Sequence, residues 1–299
     1  MDADVPQRAR LGGLIGVPAD LTSVIIVLAD SGPLTRECVE HALASDHPVE
    51  VILVDNGSED GVPEALDRAY ARDERVRVIY NRANLGFGPA VNRGAAQARG
   101  ARLLVLNPDC LIDPDTISRM AAHIGPHTGL VGAIVQDEAG HVDPASRRKD
   151  PLLGRALATK LGFGEGGIDM GGPLPTNAEP VEIVSGAILL IPRGAFETLG
   201  GFDETFFLHC EDMDLCRRAR DMGYQVILAG DVRVMHGKGG SSRHRPVFVS
   251  RHKHRSMFLW FRRHDPAARN VLVRAVVWLG IWAHFVVKIP GQLLKKKRR

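Results

Sequence analysis

The chain has 299 residues, enough to bury a full hydrophobic core, and its 44% hydrophobic and 24% charged residues are ordinary for a folded soluble protein. The net charge of +3 conceals an asymmetry, because residues 232–299 carry 17 lysines and arginines against a single acid, Asp265. This basic segment predicts an anionic partner surface, either nucleic acid or membrane.

The cysteines show no CxxC motif and no zinc-type spacing, which argues against a structural zinc site. We expect reduced thiols. Residues 1–20 lack the charged-then-apolar pattern of a secretory signal and are predicted to be a loose leader. The rest of the chain therefore has the character of a cytosolic protein.

Short apolar runs alternate with helical stretches through the first half of the chain. The predicted strands cover residues 24–28, 49–54, 76–80 and 103–106. The predicted helices cover residues 34–44, 63–72, 89–98 and 114–123. This alternation predicts an α/β fold with a mostly parallel, Rossmann-like sheet flanked by helices on both faces.

The middle of the chain is less regular. Residues 152–179 are rich in glycine and proline and are predicted to form a loop or a mobile lid. Strand character returns at 182–191 and again at 226–228. Helices are predicted at 193–199 and at 212–222, the second capped by Gly223.

Two polar segments follow predicted strands and suit a nucleotide. Asp55 ends the second strand, where acids bind nucleotides in doubly wound folds, although Asp-Asn-Gly is equally typical of a simple turn. The loop from Asn84 through Gly86 opens the helix that contains Asn92, and its free amides suit a phosphate or nucleotide. A tight strand-to-helix turn would explain the same glycines.

A stronger signal is the sequence Asn107-Pro108-Asp109, which closes the fourth apolar run. Asp109 is suited to binding Mg²⁺ or Mn²⁺ beside the phosphates of a nucleotide, and Pro108 fixes the turn that presents it. The alternative is an ordinary Asn-Pro turn.

An acidic cluster of Glu211, Asp212 and Asp214 begins a predicted helix after an apolar stretch. The helix dipole alone favours acids at this position, but three acids exceed what a cap requires. A carboxylate against an apolar wall becomes a better general base. Asp214 is spaced to pair with Arg217 or Arg218, which would leave Asp212 free.

His236 ends a strand-like run and precedes a loop of glycines, hydroxyls and a lysine. Imidazole is a reasonable ligand for Mn²⁺, although an isolated histidine is more often an ordinary polar residue. The loop residues Lys238, Gly239 and Ser241 form a plausible cradle for a diphosphate.

The segment 270–290 is largely apolar but is interrupted by Arg274, His284 and Lys288, so it falls short of a clean membrane span. Trp278 and Trp282 lie on one helical face, as in an interfacial anchor. The terminal basic run 295–299 would meet anionic headgroups. We therefore expect a membrane-associated tail rather than one that binds nucleic acid; packing on the protein's own core is the alternative.

Together the motifs resemble the family-2 glycosyltransferases, which have the GT-A fold. The matching segments are 54–61, 84–94, 106–109, 185–193, 200–207, 211–218 and His236. The resemblance implies a GT-A domain at 21–265 and a separate tail at 266–299. The subset with Asn-Pro-Asp, Glu-Asp-x-Asp-Leu and a late histidine is similar to bacterial rhamnosyltransferases of cell-surface polysaccharide synthesis.

The resemblance also implies residue roles. Asp212 would be the catalytic base, with Glu211 and Asp214 as supporting acids or rivals. Asp109 and His236 would hold Mg²⁺ or Mn²⁺. Asp55, Asn84, Gly86, Asn92 and Asp109 would contact the nucleotide. Lys238, Gly239 and Ser241 would contact the diphosphate, and Ser185 and Gly186 would contact the acceptor.

The function implied is inverting, metal-dependent transfer of a sugar, L-rhamnose from dTDP-rhamnose, to a saccharide or polyprenyl-diphosphate-linked acceptor at the inner face of the cell membrane. A UDP- or GDP-sugar donor and a non-catalytic nucleotide-sugar-binding membrane protein are the alternatives. A nucleotidyltransferase would need a basic glycine-rich loop after the first strand, where this chain has Ala29-Asp30-Ser31-Gly32-Pro33. A glycoside hydrolase would use two carboxylates without a metal-type aspartate.

Overall fold

The computed structural model describes residues 20–163, 166–237 and 245–297, with side chains described as far as residue 291. Four parallel strands build the first half of its sheet: β1 (Thr22–Leu28), β2 (Val49–Asp55), β3 (Val76–Tyr80) and β4 (Arg102–Leu106). Their order is β3-β2-β1-β4. Every residue of β1 and β2 is buried, as expected for parallel strands covered on both faces. The four predicted strands are confirmed.

The helices between these strands are also confirmed, each end within three residues of its prediction. They are α1 (Leu34–Leu43), α2 (Val62–Ala69), α3 (Phe87–Ala95) and α4 (Thr116–Ala122). Gly94 allows α3 to lie directly on the sheet, because a Cβ atom there would lie 2.7 Å from Cγ2 of Ile25. The alternation of strand and helix therefore places the ends of β1, β2 and β4 side by side.

Five further strands complete a mixed, mostly parallel sheet of nine. They are β5 (Cys110–Leu111), β6 (Thr128–Gln136), β7 (Ala178–Pro180), β8 (Ile188–Pro192) and β9 (Gln225–His236). Strand β8 runs antiparallel between β4 and β6, and β6 pairs in parallel with β9. Both β5 and β7 pair antiparallel with β9. Apolar side chains form one core on each face of the sheet.

The middle of the chain departs from its prediction. Part of the segment predicted as a loop or lid is helix α5 (Leu153–Leu161), followed later by β7. The strand predicted at 182–191 begins only at Ile188, and the closing strand extends to His236. Strand β6 was not predicted, because glycines interrupt its apolar run. Gly132 is required there by packing, since a Cβ atom would lie 2.5 Å from Cβ of Val184.

Two predicted helices after β8 are confirmed as α6 (Arg193–Thr198) and α7 (Glu211–Asp221). Gly223, with φ of +85°, follows α7 in the left-handed conformation that commonly ends a helix. Helix α7 carries the acidic cluster, so its first turn is the part of this region that bears on function.

The C-terminal region contains α8 (Pro246–His264) and α9 (Val271–Lys297), of which α8 was not predicted. Trp260 of α8 is 1% exposed and packs with Phe206 and Cys210 just before α7. His254 of α8 bonds His284 of α9, with 3.0 Å between Nε2 and Nδ1. Helix α8 therefore connects the acidic cluster to the C-terminal helix.

Within the described residues, one segment is long and apolar enough to cross a membrane. It is Val271–Gly291 of α9, with a mean hydropathy of 1.7, and none of its 18-residue apolar window is buried. One face of α9 contacts α8, while Leu272 and Val287 are each 77% exposed on the other. A large apolar surface without a partner among the described residues is typical of a contact site.

Candidate active site

A cavity of about 700 Å³ lies where the carboxyl ends of β1, β2, β4 and β9 meet the start of α7 and one side of α8. Ligands bind at this edge of open α/β sheets. The charged side chains that line the cavity are Asp30, Asp109, Asp143, Arg148, Glu211, Asp212, His236, Arg245 and Lys253. Both of the separated acidic motifs of the sequence therefore face one space.

Asp109 and His236 meet because β5 pairs with the end of β9, which places Cys110 opposite His236. The Oδ1 atom of Asp109 lies 3.0 Å from Nε2 of His236, and Nδ2 of Asn107 lies 3.4 Å from the same nitrogen. Burial alone would lower the pKa of His236. Its hydrogen bond to Asp109, together with the charges of Asp109 and Asp143, outweighs burial and raises that pKa.

The carboxylate of Asp109 and the imidazole of His236 fit a divalent cation. Their ligand atoms converge with the sulfur of Cys110 within 4.8 Å of one another. Burial, with the nearby Cys38 and Asp109, raises the pKa of the Cys110 thiol well above its ordinary value, so Cys110 is a protonated thiol. A carboxylate and an imidazole without a thiolate suit Mn²⁺, and also Mg²⁺ when phosphate oxygens complete the coordination.

Asp212 lies at the start of α7 and reaches the cavity wall. Its Oδ2 accepts a hydrogen bond from the backbone N–H of Gly186 at 3.0 Å, and its Oδ1 accepts one from Met213 at 2.8 Å. The backbone N–H groups fix the direction of the carboxylate. Each carboxylate oxygen has a second lone pair, so Asp212 can still accept a proton from a bound hydroxyl.

From the predicted role of Asp212 as the base, we expect Gly186→Ala to lower turnover by about 10-fold, because small displacements of a catalytic group are costly. The added Cβ would lie 3.0 Å from Cβ of Asp212 and 3.1 Å from its Oδ2, so the carboxylate must move. Gly194→Ala is the matched control, because nothing lies within 4 Å of its added Cβ. Steady-state kinetics and melting temperatures of both variants check this; an unimpaired Gly186→Ala enzyme would contradict it.

Glu211 differs from Asp212 although the two are adjacent. Glu211 is only 7% exposed, and its Oε2 has no hydrogen-bond partner. Burial, followed by the charge of Asp212, raises the pKa of Glu211 to about 8. Glu211 is therefore mainly protonated near neutral pH.

Asp214 does not face the cavity, so the structure does not support its role as a supporting acid. The residue is fully buried and pairs with Arg218 at 2.7 Å, as its spacing predicted. It also lies 2.7 Å from Nε2 of His264 at the end of α8. We assign Asp214 to the packing of α7 against α8.

The loop from Asn84 to Gly86 lines the cavity through a network of side-chain amides. Asn56 donates to Oδ1 of Asn84 at 3.1 Å and to the carbonyl of Gly86 at 3.0 Å. Gly86, with φ of +97°, allows the loop to approach Phe207, whose carbonyl would lie 2.6 Å from an added Cβ. This network fixes a polar wall opposite α7.

Two residues predicted to contact the nucleotide lie elsewhere. Asp55 is 5% exposed, and its carboxylate accepts a hydrogen bond from the backbone of Ser58, which is the turn alternative; the neighbouring Asn56 lines the cavity instead. Asn92 exchanges hydrogen bonds with the backbone of Phe202, at 2.8 and 2.9 Å. Asn92 thus holds the segment before α7 against α3.

Of the other predicted site residues, Ser185 and Gly186 both line the cavity. The predicted diphosphate loop residues Lys238, Gly239 and Ser241 lie outside the described residues.

The cations Arg148, Arg245 and Lys253 of the cavity were missed by sequence reasoning. Arg148 follows a short turn of 3-10 helix, and Lys253 lies on a helix that was not predicted. His209 also lines the cavity with φ of +66°, unusual for a residue that is not glycine. The sequence carries no local motif for these positions, because the fold brings them together over long separations.

Comparison with known proteins identifies the family. A family model described as Glycosyl transferase family 2 matches residues 23–181. The chain belongs to glycosyltransferase family 2. It is 33% identical over 270 residues to the N-acetylglucosaminyl-diphospho-decaprenol L-rhamnosyltransferase of Mycobacterium tuberculosis, covering 81% of this chain and 84% of that protein. The chain is also 30% identical over 233 residues to the O-antigen biosynthesis protein RfbC of Myxococcus xanthus. That match covers 74% of this chain and 18% of RfbC.

Solved structures place this family-2 chain in the GT-A fold. A mannosyltransferase of Pyrobaculum calidifontis in complex with GDP-Man and Mn²⁺ superposes with a TM-score of 0.58 at 18% identity, covering 93% of this chain and 73% of that one. GalNAc-T7 with UDP, GalNAc and Mn²⁺ gives a TM-score of 0.62 at 16% identity, covering 91% and 58%. The predicted fold class and the predicted transferase activity are confirmed.

Proposed function

We propose that this glycosyltransferase moves L-rhamnose from dTDP-rhamnose to a hydroxyl of N-acetylglucosamine in a polyprenyl-diphosphate-linked acceptor. The proposal is supported by the 33% identity to the mycobacterial rhamnosyltransferase over most of both chains. One observation carries the chemistry: the Asp109–His236 pair and Asp212 line a single cavity. Such a cavity has room for an activated donor at one end and a base at the other.

We assign donor binding to the Asp109 end. Asp109 and His236 would hold Mg²⁺ or Mn²⁺, which when bound supplies positive charge that stabilises the departing nucleoside diphosphate. Asn56, Asn84 and Gly86 form the polar wall that we assign to the nucleotide. We retain, as part of the proposal, the prediction from the sequence that Lys238, Gly239 and Ser241 contact the diphosphate.

We assign the acceptor to the Asp212 end. Asp212 takes the proton of the attacking hydroxyl, while the backbone N–H of Gly186 holds the carboxylate in place. The hydroxyl oxygen then bonds to the anomeric carbon as the bond to the diphosphate breaks. Because the attack comes from the face opposite the leaving group, a single displacement of this kind inverts the anomeric configuration.

The test is a transfer assay on the full-length enzyme with an N-acetylglucosaminyl diphosphate lipid as acceptor. The donors are dTDP-rhamnose, a UDP-sugar and a GDP-sugar, each with Mg²⁺, with Mn²⁺ and with chelator. We expect metal-dependent transfer from dTDP-rhamnose, and a product whose anomeric configuration, read by NMR, is the opposite of the donor's. Transfer only from the UDP- or GDP-sugar would reject the rhamnose donor. Binding of a nucleotide sugar without transfer would favour a non-catalytic binding protein.

We also propose that the enzyme is cytoplasmic and peripheral on the inner face of the cell membrane. The catalytic domain would span residues 21–265, after a leader at 1–20, and the tail at 266–299 would contact the bilayer. The exposed apolar face of α9 and the lysines and arginines at 295–299 support this contact. Leu161, the last residue of α5, and Phe163 shortly after it are 70% and 65% exposed and offer further apolar surface for contact with the bilayer.

We expect the double variant Leu272→Asp, Val287→Asp to lose binding to anionic phosphatidylglycerol vesicles. Both side chains are 77% exposed on α9, so the fold has little to lose, while charges on the apolar face oppose entry into the bilayer. Vesicle flotation of the wild type and the variant measures this. Undiminished flotation of the variant would show that α9 does not insert through this face.

A further inference from the structure

Arg148 is an exception among the arginines around it. Arg147 pairs with Glu179 at 2.9 Å, Arg155 pairs with Glu182 at 2.6 Å, and Arg217 pairs with Asp150 at 3.1 Å. No carboxylate of the described residues pairs with the guanidinium of Arg148, whose Nε atom is buried without a hydrogen-bond partner. A half-buried cation without a paired anion is energetically costly unless a bound anionic ligand pairs with it.

The backbone holds Arg148 firmly at this wall. Its N–H donates to the carbonyl of Ile183 at 3.1 Å, and the N–H of Ile183 donates back to Arg148 at 3.0 Å. The segment that follows Ile183 leads directly to Ser185 and Gly186, the latter of which orients Asp212. The position of Arg148 is therefore linked to that of the catalytic base.

Lys253 of α8 is the second cation at the same end of the cavity. It lines the cavity beside Asp212, and no carboxylate of the described chain pairs with it. The electrostatic surroundings of His209, another residue of the cavity lining, link Lys253 to Arg148 and Asp212. Burial lowers the pKa of His209 to about 4, and the charges of Lys253 and Arg148 act in the same direction, against that of Asp212. The two cations, His209 and Asp212 therefore form one neighbourhood.

We propose that Arg148 and Lys253 bind the diphosphate of the acceptor lipid, an inference that rests on the proposed function. A planar guanidinium and an ammonium together match a diphosphate in charge and in hydrogen-bonding geometry. Contact with the acceptor diphosphate orients the sugar so that its hydroxyl meets Asp212. Arg148 and Lys253 thereby select acceptors that carry a diphosphate.

The donor diphosphate is a poorer match for these cations. In an inverting displacement the leaving diphosphate and the attacking hydroxyl lie on opposite faces of the transferred sugar, so the donor diphosphate belongs with Asp109 and His236. The acceptor's own diphosphate is one sugar ring away from the hydroxyl that meets Asp212. Lys253 also belongs to α8, which packs along α9, so an acceptor chain leaving the cavity past Lys253 runs toward the proposed membrane surface.

Kinetics with two water-soluble acceptors test the proposal. One is N-acetylglucosaminyl diphosphate with a decyl chain, and the other is the decyl glycoside of N-acetylglucosamine without phosphate. For the diphosphate acceptor we expect Arg148→Ala and Lys253→Ala each to raise KM by about 10- to 100-fold, the loss typical of a hydrogen bond to a charged group. The KM values for the neutral glycoside and for the donor should not change. Arg148→Lys should fall between Arg148→Ala and the wild type.

Arg255→Ala is the matched control, since Arg255 is an exposed cation on α8 that does not line the cavity. It should behave as the wild type. Equal increases of KM for both acceptors, or an increase of KM for the donor, would overturn the proposal. A wild-type enzyme with the same KM for both acceptors would also overturn it while leaving the proposed function intact.

A binding measurement separates failure of this inference from failure of the proposed function. Geranyl diphosphate is titrated into each protein by calorimetry in chelator, so that the metal-dependent donor site does not hold it. We expect binding by the wild type and by Arg255→Ala, and loss of binding in Arg148→Ala and Lys253→Ala. If the wild type transfers to neither acceptor, the proposed function fails, and the titration alone tests the inference about Arg148 and Lys253. Equal binding of geranyl diphosphate by all four proteins, or by none of them, rejects that inference.

Discussion

Asp212→Asn is expected to lower sugar transfer by about 10²- to 10⁴-fold, the usual contribution of a general base, while the protein stays folded. Asparagine has the shape of aspartate and keeps one oxygen to accept from Gly186 or Met213, so only one of two local hydrogen bonds is lost. It cannot take the proton of the acceptor hydroxyl. Turnover, donor affinity and melting temperature of the variant are the three measurements.

The matched control is Glu211→Gln, on the neighbouring carboxylate. Burial, followed by the charge of Asp212, raises the pKa of Glu211 to about 8, so glutamine resembles the protonated side chain that dominates at pH 7. We expect this variant to keep most of its activity. If Glu211→Gln is inactive and Asp212→Asn is active, Glu211 rather than Asp212 is the base. Normal turnover by Asp212→Asn would remove Asp212 from the mechanism.

Glu211 also makes the stability of the fold depend on pH. The pKa of Glu211 is raised on folding from 4.5 to about 8, so its favourable contribution is complete below about pH 4.5. The contribution is then lost as the pH rises towards 8, because the unfolded chain releases the proton first. Glu211→Gln should remove this loss, and urea titrations between pH 5 and pH 8 would show a flatter dependence for the variant.

The first half of the fold was predictable because its signals are local. Buried parallel strands such as β1 and β2 are rich in β-branched residues, and each ends at a polar turn. The rule that ligands bind at the carboxyl ends of such strands was enough to place Asp109 at the cavity. The same rule does not place Asp55 in the cavity lining, because its carboxylate accepts a hydrogen bond from the backbone of its own turn.

The second half depends on contacts that leave little trace in the sequence. Helix α8 has a largely polar sequence, and its buried positions include His254 and Ser256, so it shows no clear apolar stripe. The hydroxyl of Ser256 donates to the carbonyl of Leu208, a contact 48 residues away. Arg148 is likewise linked to Asp212 through the pairing of its backbone with Ile183 and through the cavity that both residues line. Periodicity reports which face of an element is apolar, but it does not report such polar contacts.

Asp214→Asn is expected to lower the free energy of unfolding by about 3–5 kcal/mol, the usual cost of removing one partner from a buried ion pair. Asp214 is fully buried between Arg218 of α7 and His264 of α8, at 2.7 Å from each. Asparagine would leave the half-buried guanidinium of Arg218 without its carboxylate partner, with only the carbonyls of Leu199 and Gly201 as acceptors. Urea denaturation at pH 7 measures the change.

Asp221→Asn on the same helix is the control for this variant. Asp221 also pairs with an arginine, Arg217, at 2.8 Å, but its side chain is 51% exposed, so we expect a loss of about 0–1 kcal/mol. Equal losses of unfolding free energy in the two variants would show that burial does not strengthen the Asp214 pair. Because α8 carries both His264 and Lys253, loosening the Asp214 pair should also weaken acceptor binding, whereas Asp221→Asn should leave it unchanged. Asp214, the buried acid of the Glu-Asp-Met-Asp motif, would then position the helix that carries the proposed acceptor contact, while the half-buried Asp212 at the cavity wall would act as the proposed base.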